Sequence, residues 1–137
     1  MSNSPTELAL PLLDAERLAK AKAYVQQRFA TIPRLAIILG SGLGTFAENM
    51  ENTQSLSTAD IPEYPRSTVA GHAGRWIVGK IGGKNLLAMQ GRVHSYEGYP
   101  FATVGFPVHL MAELGVKRLI VTNAAGGLNP LFKSGDL

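Results

Sequence analysis

The sequence contains no cysteine, which excludes disulfide bonds and thiolate metal sites. No apolar run approaches the roughly 20 residues of a membrane-spanning helix. Residues 1–7, Met-Ser-Asn-Ser-Pro-Thr-Glu, lack the basic start and apolar core of a secretion signal. Lysines and arginines are scattered, without the basic block that marks nucleic-acid binding. We therefore expect a cytoplasmic protein whose partners include no membrane and no nucleic acid.

The composition is that of a globular domain. The chain has 137 residues, of which 45% are hydrophobic and 17% charged. This length fits one domain, and this balance is unlike that of disordered chains. The net charge of +3 neither favours nor excludes a small anionic ligand, because such a ligand needs only a local positive site.

Hydrophobic patterning predicts an α/β fold with a mixed β-sheet flanked by helices. A continuous apolar run predicts a strand buried on both faces over Leu35–Leu39. Lys117–Val121 is predicted to be a second buried strand. Two further strands, Arg75–Ile81 and Asn85–Met89, flank a Gly-Gly hairpin turn. Helices are predicted from Asp14 to about Ala30, with a stripe of Leu18, Ala21, Val25 and Phe29, and over Thr103–Leu114, ended by Gly115. The polar stretch Glu51–Thr68 is predicted to be an irregular loop.

Two small-residue segments directly follow the two predicted buried strands. They are Gly40-Ser-Gly-Leu-Gly44 and Thr122-Asn-Ala-Ala-Gly-Gly127. Glycine lets backbone N–H groups approach an anion, and ligands of open α/β sheets bind at the carboxyl ends of strands. Each segment is equally compatible with a tight turn or close packing of helix on sheet. The first lacks the third glycine of the dinucleotide-binding motif.

Two other segments carry ionisable side chains. The segment Gly91–Gly98 contains Arg92, His94, Tyr96 and Glu97, and the arginine and histidine alternate after a predicted strand, so they can share a face. Arginine suits phosphate oxygens, and Glu97 can orient or charge-stabilise the histidine. His72 lies in a small-residue setting, His72-Ala-Gly-Arg75. The alternative interpretation of both segments is a polar surface.

Other chemistries fit poorly. Three histidines without cysteine form no H-x-x-x-H pair, so we expect no metal site. Ser41 does not lie in a G-x-S-x-G nucleophile motif. Glu97 has no obvious acidic partner for glycoside hydrolysis.

In their order along the chain, these four segments resemble the N-terminal half of the trimeric purine nucleoside phosphorylases, from about Arg34 to Leu137. The resemblance implies a nucleoside-phosphorylase-like fold that is incomplete at the C-terminus. Within one domain half, 1–137, it implies a helical N-terminal extension, 1–33, and a phosphate- and ribose-site core, 34–137. The implied phosphate-binding residues are Ser41, His72, Arg92, His94 and the backbone of Ala124. Tyr96 would contact ribose, His94 and Glu97 would be catalytic, and Asn123 and Ala125 would shape their loop.

The resemblance also implies an activity. Members of that family transfer a pentosyl group from a purine nucleoside to inorganic phosphate, giving ribose 1-phosphate and free purine. The reaction belongs to purine salvage and uses no cofactor. It implies a homotrimer or a complementary C-terminal chain, since the family's purine-binding donors belong to its C-terminal half. The 137 residues alone are expected to be inactive and to expose a sheet edge. Two alternatives stay open: a non-catalytic phosphate- or nucleotide-binding module, and an α/β fragment with idle motifs.

Overall fold

The residues that the structure describes form two α-helices and five β-strands. The computed structural model describes residues 15–68 and 74–136. In chain order the elements are α1 (Ala15–Arg28), β1 (Leu35–Leu39), β2 (Glu51–Ser57), β3 (Arg75–Ile81), β4 (Lys84–Gln90), α2 (Phe101–Glu113) and β5 (Arg118–Val121). Short 3₁₀ helices cover Gly44–Asn49, Thr58–Asp60 and Ser95–Glu97. No helix in the described ranges is long and apolar enough to cross a membrane.

All five strands form one sheet in the order β2-β3-β4-β1-β5. β1 pairs in parallel with β4 and with β5, whereas β3 pairs antiparallel with β2 and β4. The predicted mixed α/β sheet is thereby confirmed. Because β1, β4 and β5 run in the same direction, the segments that follow them emerge at the same edge.

The interior strand β1 is buried on both faces, as its unbroken apolar run predicts. Ala36 and Ile38 belong to the core beneath the two helices. Ile37 and Leu39 belong to a second, smaller core that includes Ala47 of the first 3₁₀ helix. Strand β4 alternates in the same way between the two cores. These two strands therefore provide a rigid base for the segments at their carboxyl ends.

The predicted turn and cap glycines have the backbone geometry expected of them. Gly82 and Gly83, between β3 and β4, have φ values of +53° and +76°, which suits a two-residue hairpin. Gly115, just after α2, has a φ of +95°. Its amide donates to the carbonyl of Ala112, and the amide of Val116 donates to that of Met111, both at 3.0 Å. This pattern is a Schellman motif, and it ends α2 where the sequence predicts.

The helical stripe is also confirmed. Ala21, Val25 and Phe29 are buried in the larger core, and Leu18 packs against it. α2 begins at Phe101, two residues before the predicted start. Pro107 is consequently inside the helix, beyond its first turn.

Tyr64 and Trp76 form a buried aromatic pair that holds the segment ending at Thr68 against the core. Nε1 of Trp76 donates to the Tyr64 hydroxyl at 3.0 Å, and that hydroxyl lies 3.7 Å from Sδ of Met89. Tyr64 also makes edge-to-face contacts with Trp76 and Phe106. Burial raises the pKa of Tyr64, so the phenol stays neutral. This anchor carries the chain toward Ser67 and Thr68, which reach the candidate site.

Two predictions about the sheet were wrong. Glu51–Thr68 is not an irregular loop, because its first seven residues form β2 and its next three a 3₁₀ helix. β2 is an edge strand defined by its backbone pairing with β3; within it only Leu56 is buried, so it lacks an apolar pattern.

β5 was predicted to be buried, yet Ile120 and Val121 are 47% and 54% exposed. β5 lies at the end of the sheet and pairs only with β1 among the described strands.

Candidate functional site

A cavity of about 320 Å³ opens at the carboxyl ends of β1 and β4. Its walls come from the glycine segment after β1, the polar segment after β4, and the segment that follows Tyr64. The lining residues are Leu39, Gly40, Ser41, Gly42, Gly44, Ser67, Gln90, Gly91, Arg92, His94 and Tyr96. The position agrees with the general location of ligand sites in open α/β sheets.

Arg92 and His94 form a hydrogen-bonded pair in this cavity. Nε of Arg92 donates to Nε2 of His94 at 3.2 Å, and Nη1 donates to the backbone carbonyl of Thr122 at 3.1 Å. In this arrangement Nε2 of His94 accepts the hydrogen bond from the guanidinium. The guanidinium has further N–H groups beyond these two contacts, and they are suited to oxyanion oxygens.

Tyr96 stacks on the His94 ring. The ring centroids are 4.6 Å apart and the planes differ by 15°. The tyrosine is 77% exposed, and it lines the cavity mouth. One ring face is therefore covered by the imidazole, while the rest offers an apolar surface and a hydroxyl to a ligand such as a sugar.

Glu97 lies behind this pair, with its side chain only 2% exposed. Oε2 accepts from the His94 amide at 2.6 Å. Oε1 accepts from the Ser67 hydroxyl at 3.1 Å, and from the Thr68 amide and hydroxyl at 2.9 and 3.0 Å. These donors, the His94 and Thr68 backbone amides above all, lower the pKa of Glu97 to about 2. The carboxylate thus stays ionised and ties residues 67–68 to the segment after β4.

The contact between Glu97 and the His94 ring is weaker. Nδ1 of His94 lies 3.5 Å from Oε2 of Glu97. Within the described part of the chain this buried nitrogen makes no hydrogen bond. Glu97 therefore holds His94 mainly through the backbone, and its charge lies close to Nδ1 of the ring.

The side chain of Gln90, the last residue of β4, holds the glycine segment after β1 by a hydrogen bond. Nε2 of Gln90 donates to the Gly44 carbonyl at 3.1 Å, and its Oε1 accepts from Nε of Arg75. Gly42 has a φ of +86°, a left-handed conformation that glycine adopts without strain. Ser41, directly before Gly42, is exposed and lines the cavity.

The segment after β5 lies next to this cavity but lines a separate hollow. Asn123, Ala124 and Ala125 are exposed and face that hollow together with residues 132–136. The two regions meet at Thr122, whose side chain and carbonyl bond to the chain after β1 and to Arg92.

The structure therefore brings together four of the predicted site residues in one cavity: Ser41, Arg92, His94 and Tyr96. Glu97 supports them from behind. Ala124, with its neighbours Asn123 and Ala125, is not part of that cavity's lining. His72 lies outside the described residues.

Sequence reasoning missed four residues that shape the site: Ser67, Thr68, Gln90 and Thr122. Gln90 had a usable signal, because it is the single polar residue between an apolar run and Gly91. Thr122 follows a predicted strand, which marks the position but not the role. Ser67 and Thr68 had no such signal, because their partner Glu97 is about 30 residues away.

Together, the open sheet and the cavity at its strand ends define an α/β protein whose cavity is lined by an arginine and a serine hydroxyl, groups that suit an oxyanion. Residues 34–137 match the Phosphorylase superfamily. The chain belongs to that superfamily.

Relatives at high identity specify the resemblance further. The chain is 51% identical over 122 residues to purine nucleoside phosphorylase 1 of Bacillus subtilis, covering 89% of this chain and 45% of that protein. It is 51% identical over 115 residues to purine nucleoside phosphorylase of Bos taurus, covering 84% and 38%. The chain spans less than half the length of these curated relatives. The resemblance to purine nucleoside phosphorylases is thereby confirmed.

A solved structure agrees with this assignment. Isoform 2 of purine nucleoside phosphorylase from Schistosoma mansoni, in complex with cytosine and ribose-1-phosphate, superimposes with a TM-score of 0.81 at 41% identity. The match covers 90% of this chain and 44% of that one. The predicted nucleoside-phosphorylase-like fold is confirmed by this likeness.

Proposed function

We propose that this chain provides the phosphate and ribose side of a purine nucleoside phosphorylase site. The observation that carries the proposal is the convergence of Ser41, Arg92, His94 and Tyr96 on one cavity at the carboxyl ends of β1 and β4. The relatives named above support it, including one solved with ribose-1-phosphate. Phosphate would be a co-substrate, and the reaction would need no metal or organic cofactor.

The proposed reaction transfers a pentosyl group. As the bond between C1′ of ribose and the purine nitrogen breaks, its electron pair leaves with the purine, and positive charge develops on the sugar. A phosphate oxygen then forms the new bond to C1′, giving ribose 1-phosphate, while the purine takes up a proton. Donors that are already in place stabilise charge without reorganisation during the reaction.

Each residue has a defined part in this proposal. Arg92 and the Ser41 hydroxyl would bind phosphate oxygens beneath the sugar. His94 would complete the anion site, and Tyr96, stacked on it, would lie against the ribose. Glu97 would act through His94, because its carboxylate fixes the His94 backbone and lies 3.5 Å from Nδ1 of the ring. His72 and the backbone of Ala124 remain proposed phosphate ligands, with Asn123 and Ala125 shaping the loop.

We also propose that further polypeptide completes the site. The surface formed by β5 and the segment after it exposes Ile120, Val121, Leu128, Leu131 and Phe132, between 47% and 99%. An exposed sheet edge with apolar side chains of this size favours association. A complementary C-terminal phosphorylase segment, within a homotrimer, would cover it and supply the purine donors. We place this activity in purine salvage in the cytoplasm.

Calorimetric titration tests the anion site directly. The purified chain should bind inorganic phosphate, and ribose 1-phosphate should compete for the same site. His94→Ala should weaken both, whereas His109→Ala should not, because His109 is an exposed histidine on α2 away from the cavity. Failure of the wild-type chain to bind either ligand would contradict the proposal. Binding without turnover in the presence of a complementary segment would favour the non-catalytic phosphate-binding module.

A further inference from the structure

Thr122 joins the segments that follow three different strands. It comes directly after β5 and lies opposite the end of β1, since Val121 is in register with Ile38. Its amide donates to the Ile38 carbonyl at 3.1 Å, and its hydroxyl donates to the same oxygen at 2.8 Å. That hydroxyl also accepts from the Gly40 amide at 2.8 Å. The side chain thus continues the β1–β5 pairing one step beyond the last regular pair.

The backbone of Thr122 reaches the third segment. Its carbonyl accepts from Nη1 of Arg92 at 3.1 Å, and Arg92 follows β4. The same guanidinium contacts His94 through Nε. One residue therefore contacts both the start of the glycine segment and the arginine of the cavity.

The chain is closely packed at this junction. A Cβ placed on Gly40 would lie 2.6 Å from the Thr122 carbonyl oxygen and 2.9 Å from Cα of Asn123. Real Cβ atoms do not approach backbone atoms that closely, so the glycine segment after β1 and the segment after β5 are packed directly against each other. The hydroxyl that bridges Gly40 and Ile38 is consequently well placed to set the separation of the two segments.

We propose that Thr122 is a positioning residue for the oxyanion site. Its hydroxyl sets the glycine segment, and with it Ser41, relative to β5, while its carbonyl orients the Arg92 guanidinium. The inference deepens the proposed function and rests on it for the identity of the anion. Thr122 acts through Gly40 and Arg92 and needs no contact with the ligand itself.

Thr122→Val tests the hydroxyl, because valine has nearly the same shape but neither donates nor accepts. Thr122→Ser keeps the hydroxyl, and Thr31→Val is the control at an exposed threonine outside the cavity. Two readouts apply to all three variants: hydrogen-exchange protection of the Gly40 amide together with the Arg92 Nε–H resonance by NMR, and phosphate affinity by calorimetry.

Thr122→Val should expose the Gly40 amide to exchange, shift the Arg92 resonance and weaken phosphate binding by about tenfold, the usual scale for one hydrogen bond. Thr122→Ser should restore the NMR signals and most of the affinity, and Thr31→Val should change neither. Unchanged Gly40 and Arg92 signals in a folded Thr122→Val would overturn the proposal. Altered signals with unchanged affinity would overturn it too, leaving a structural role only.

The two proposals fail in different ways. If the wild-type chain binds no phosphate, the proposed function is wrong, and the NMR readout alone still decides whether Thr122 positions Gly40 and Arg92.

Discussion

One carboxylate oxygen, Oε1 of Glu97, accepts both the amide and the hydroxyl of Thr68, at 2.9 and 3.0 Å. The contact joins two segments about 30 residues apart in the sequence. Because the same carboxylate also accepts the His94 amide, the position of the histidine backbone depends on where residues 67–68 lie.

Glu97→Gln should therefore loosen this part of the molecule. The glutamine side chain keeps one acceptor oxygen, but its NH₂ group cannot accept the hydrogen bonds that the second carboxylate oxygen accepts in Glu97. We expect a lower melting temperature and faster exchange of the Thr68 amide, measured by calorimetry and NMR. Glu48→Gln, at an exposed glutamate, is the matched control and should change neither. An unchanged Thr68 exchange rate would show that the carboxylate charge is not what holds this segment.

The same group makes stability depend on pH in the acid range. The pKa of Glu97 falls from an ordinary 4.5 to about 2 in the folded chain. The unfolded chain takes up this proton first as the pH decreases, so the stabilisation is complete above about pH 4.5 and is lost as pH falls toward 2. The difference between the urea unfolding midpoints of wild type and Glu97→Gln should be largest at pH 6 and should shrink as pH falls from about 4.5 toward 2. A gap that stays constant over this range would contradict the lowered pKa.

Phosphate binding should depend on Arg92 far more than on Arg75. Arg92 lines the cavity, whereas Arg75 is exposed, is not among the lining residues and donates to Oε1 of Gln90. Removing a charged donor from an anion typically costs ~10-fold or more in affinity. Titration with inorganic phosphate should show such a loss for Arg92→Ala and little change for Arg75→Ala. Equal losses would mean that the anion does not bind where Arg92 lies.

Gly40→Ala should destabilise the fold. Its new Cβ would meet the Thr122 carbonyl oxygen at 2.6 Å, and only a backbone shift relieves that contact. Overpacking of this kind costs about 1–3 kcal/mol. Gly126→Ala is the matched control, because a Cβ there has nothing within 4 Å. Chemical unfolding measures the free energy of unfolding of both variants. Equal values would show that the backbone at Gly40 and Thr122 moves apart more easily than the 2.6 Å contact indicates.

The chain by itself should not catalyse phosphorolysis at a rate typical of its relatives. The proposed function assigns the donors of the cavity to phosphate and the Tyr96 ring to ribose, whereas the resemblance places the purine donors in the C-terminal half of the family's chain. Loss of one well-placed donor can cost ~100-fold in rate. Assays with inosine, guanosine and phosphate should show at most slow turnover. Addition of a complementary C-terminal segment should raise it, and robust turnover by the pure, homogeneous chain would refute this expectation.

Sequence reasoning succeeded where local chemistry is sufficient. The run Leu35–Leu39 predicts a strand buried on both faces, and Gly82-Gly83 predicts the hairpin, since both signals depend only on neighbouring residues. The cluster of Arg92, His94 and Tyr96 was likewise recognisable, because the three side chains lie within five residues after one strand.

By itself, then, the sequence determined the apolar strands, the helix stripe, the turns and the residue types that can bind an anion. Only the tertiary structure decided which distant groups meet. β2 exists because its backbone pairs with β3, a contact that its polar side chains do not signal. Thr122 meets Gly40 through a hydrogen bond at the ends of the parallel strands β1 and β5. Glu97 meets Thr68 through hydrogen bonds between the segment after β4 and the segment before β3, two strands that pair antiparallel. Such contacts depend on which strand ends lie next to each other in the folded sheet. The pattern of residues along the chain does not give the distance between those strand ends.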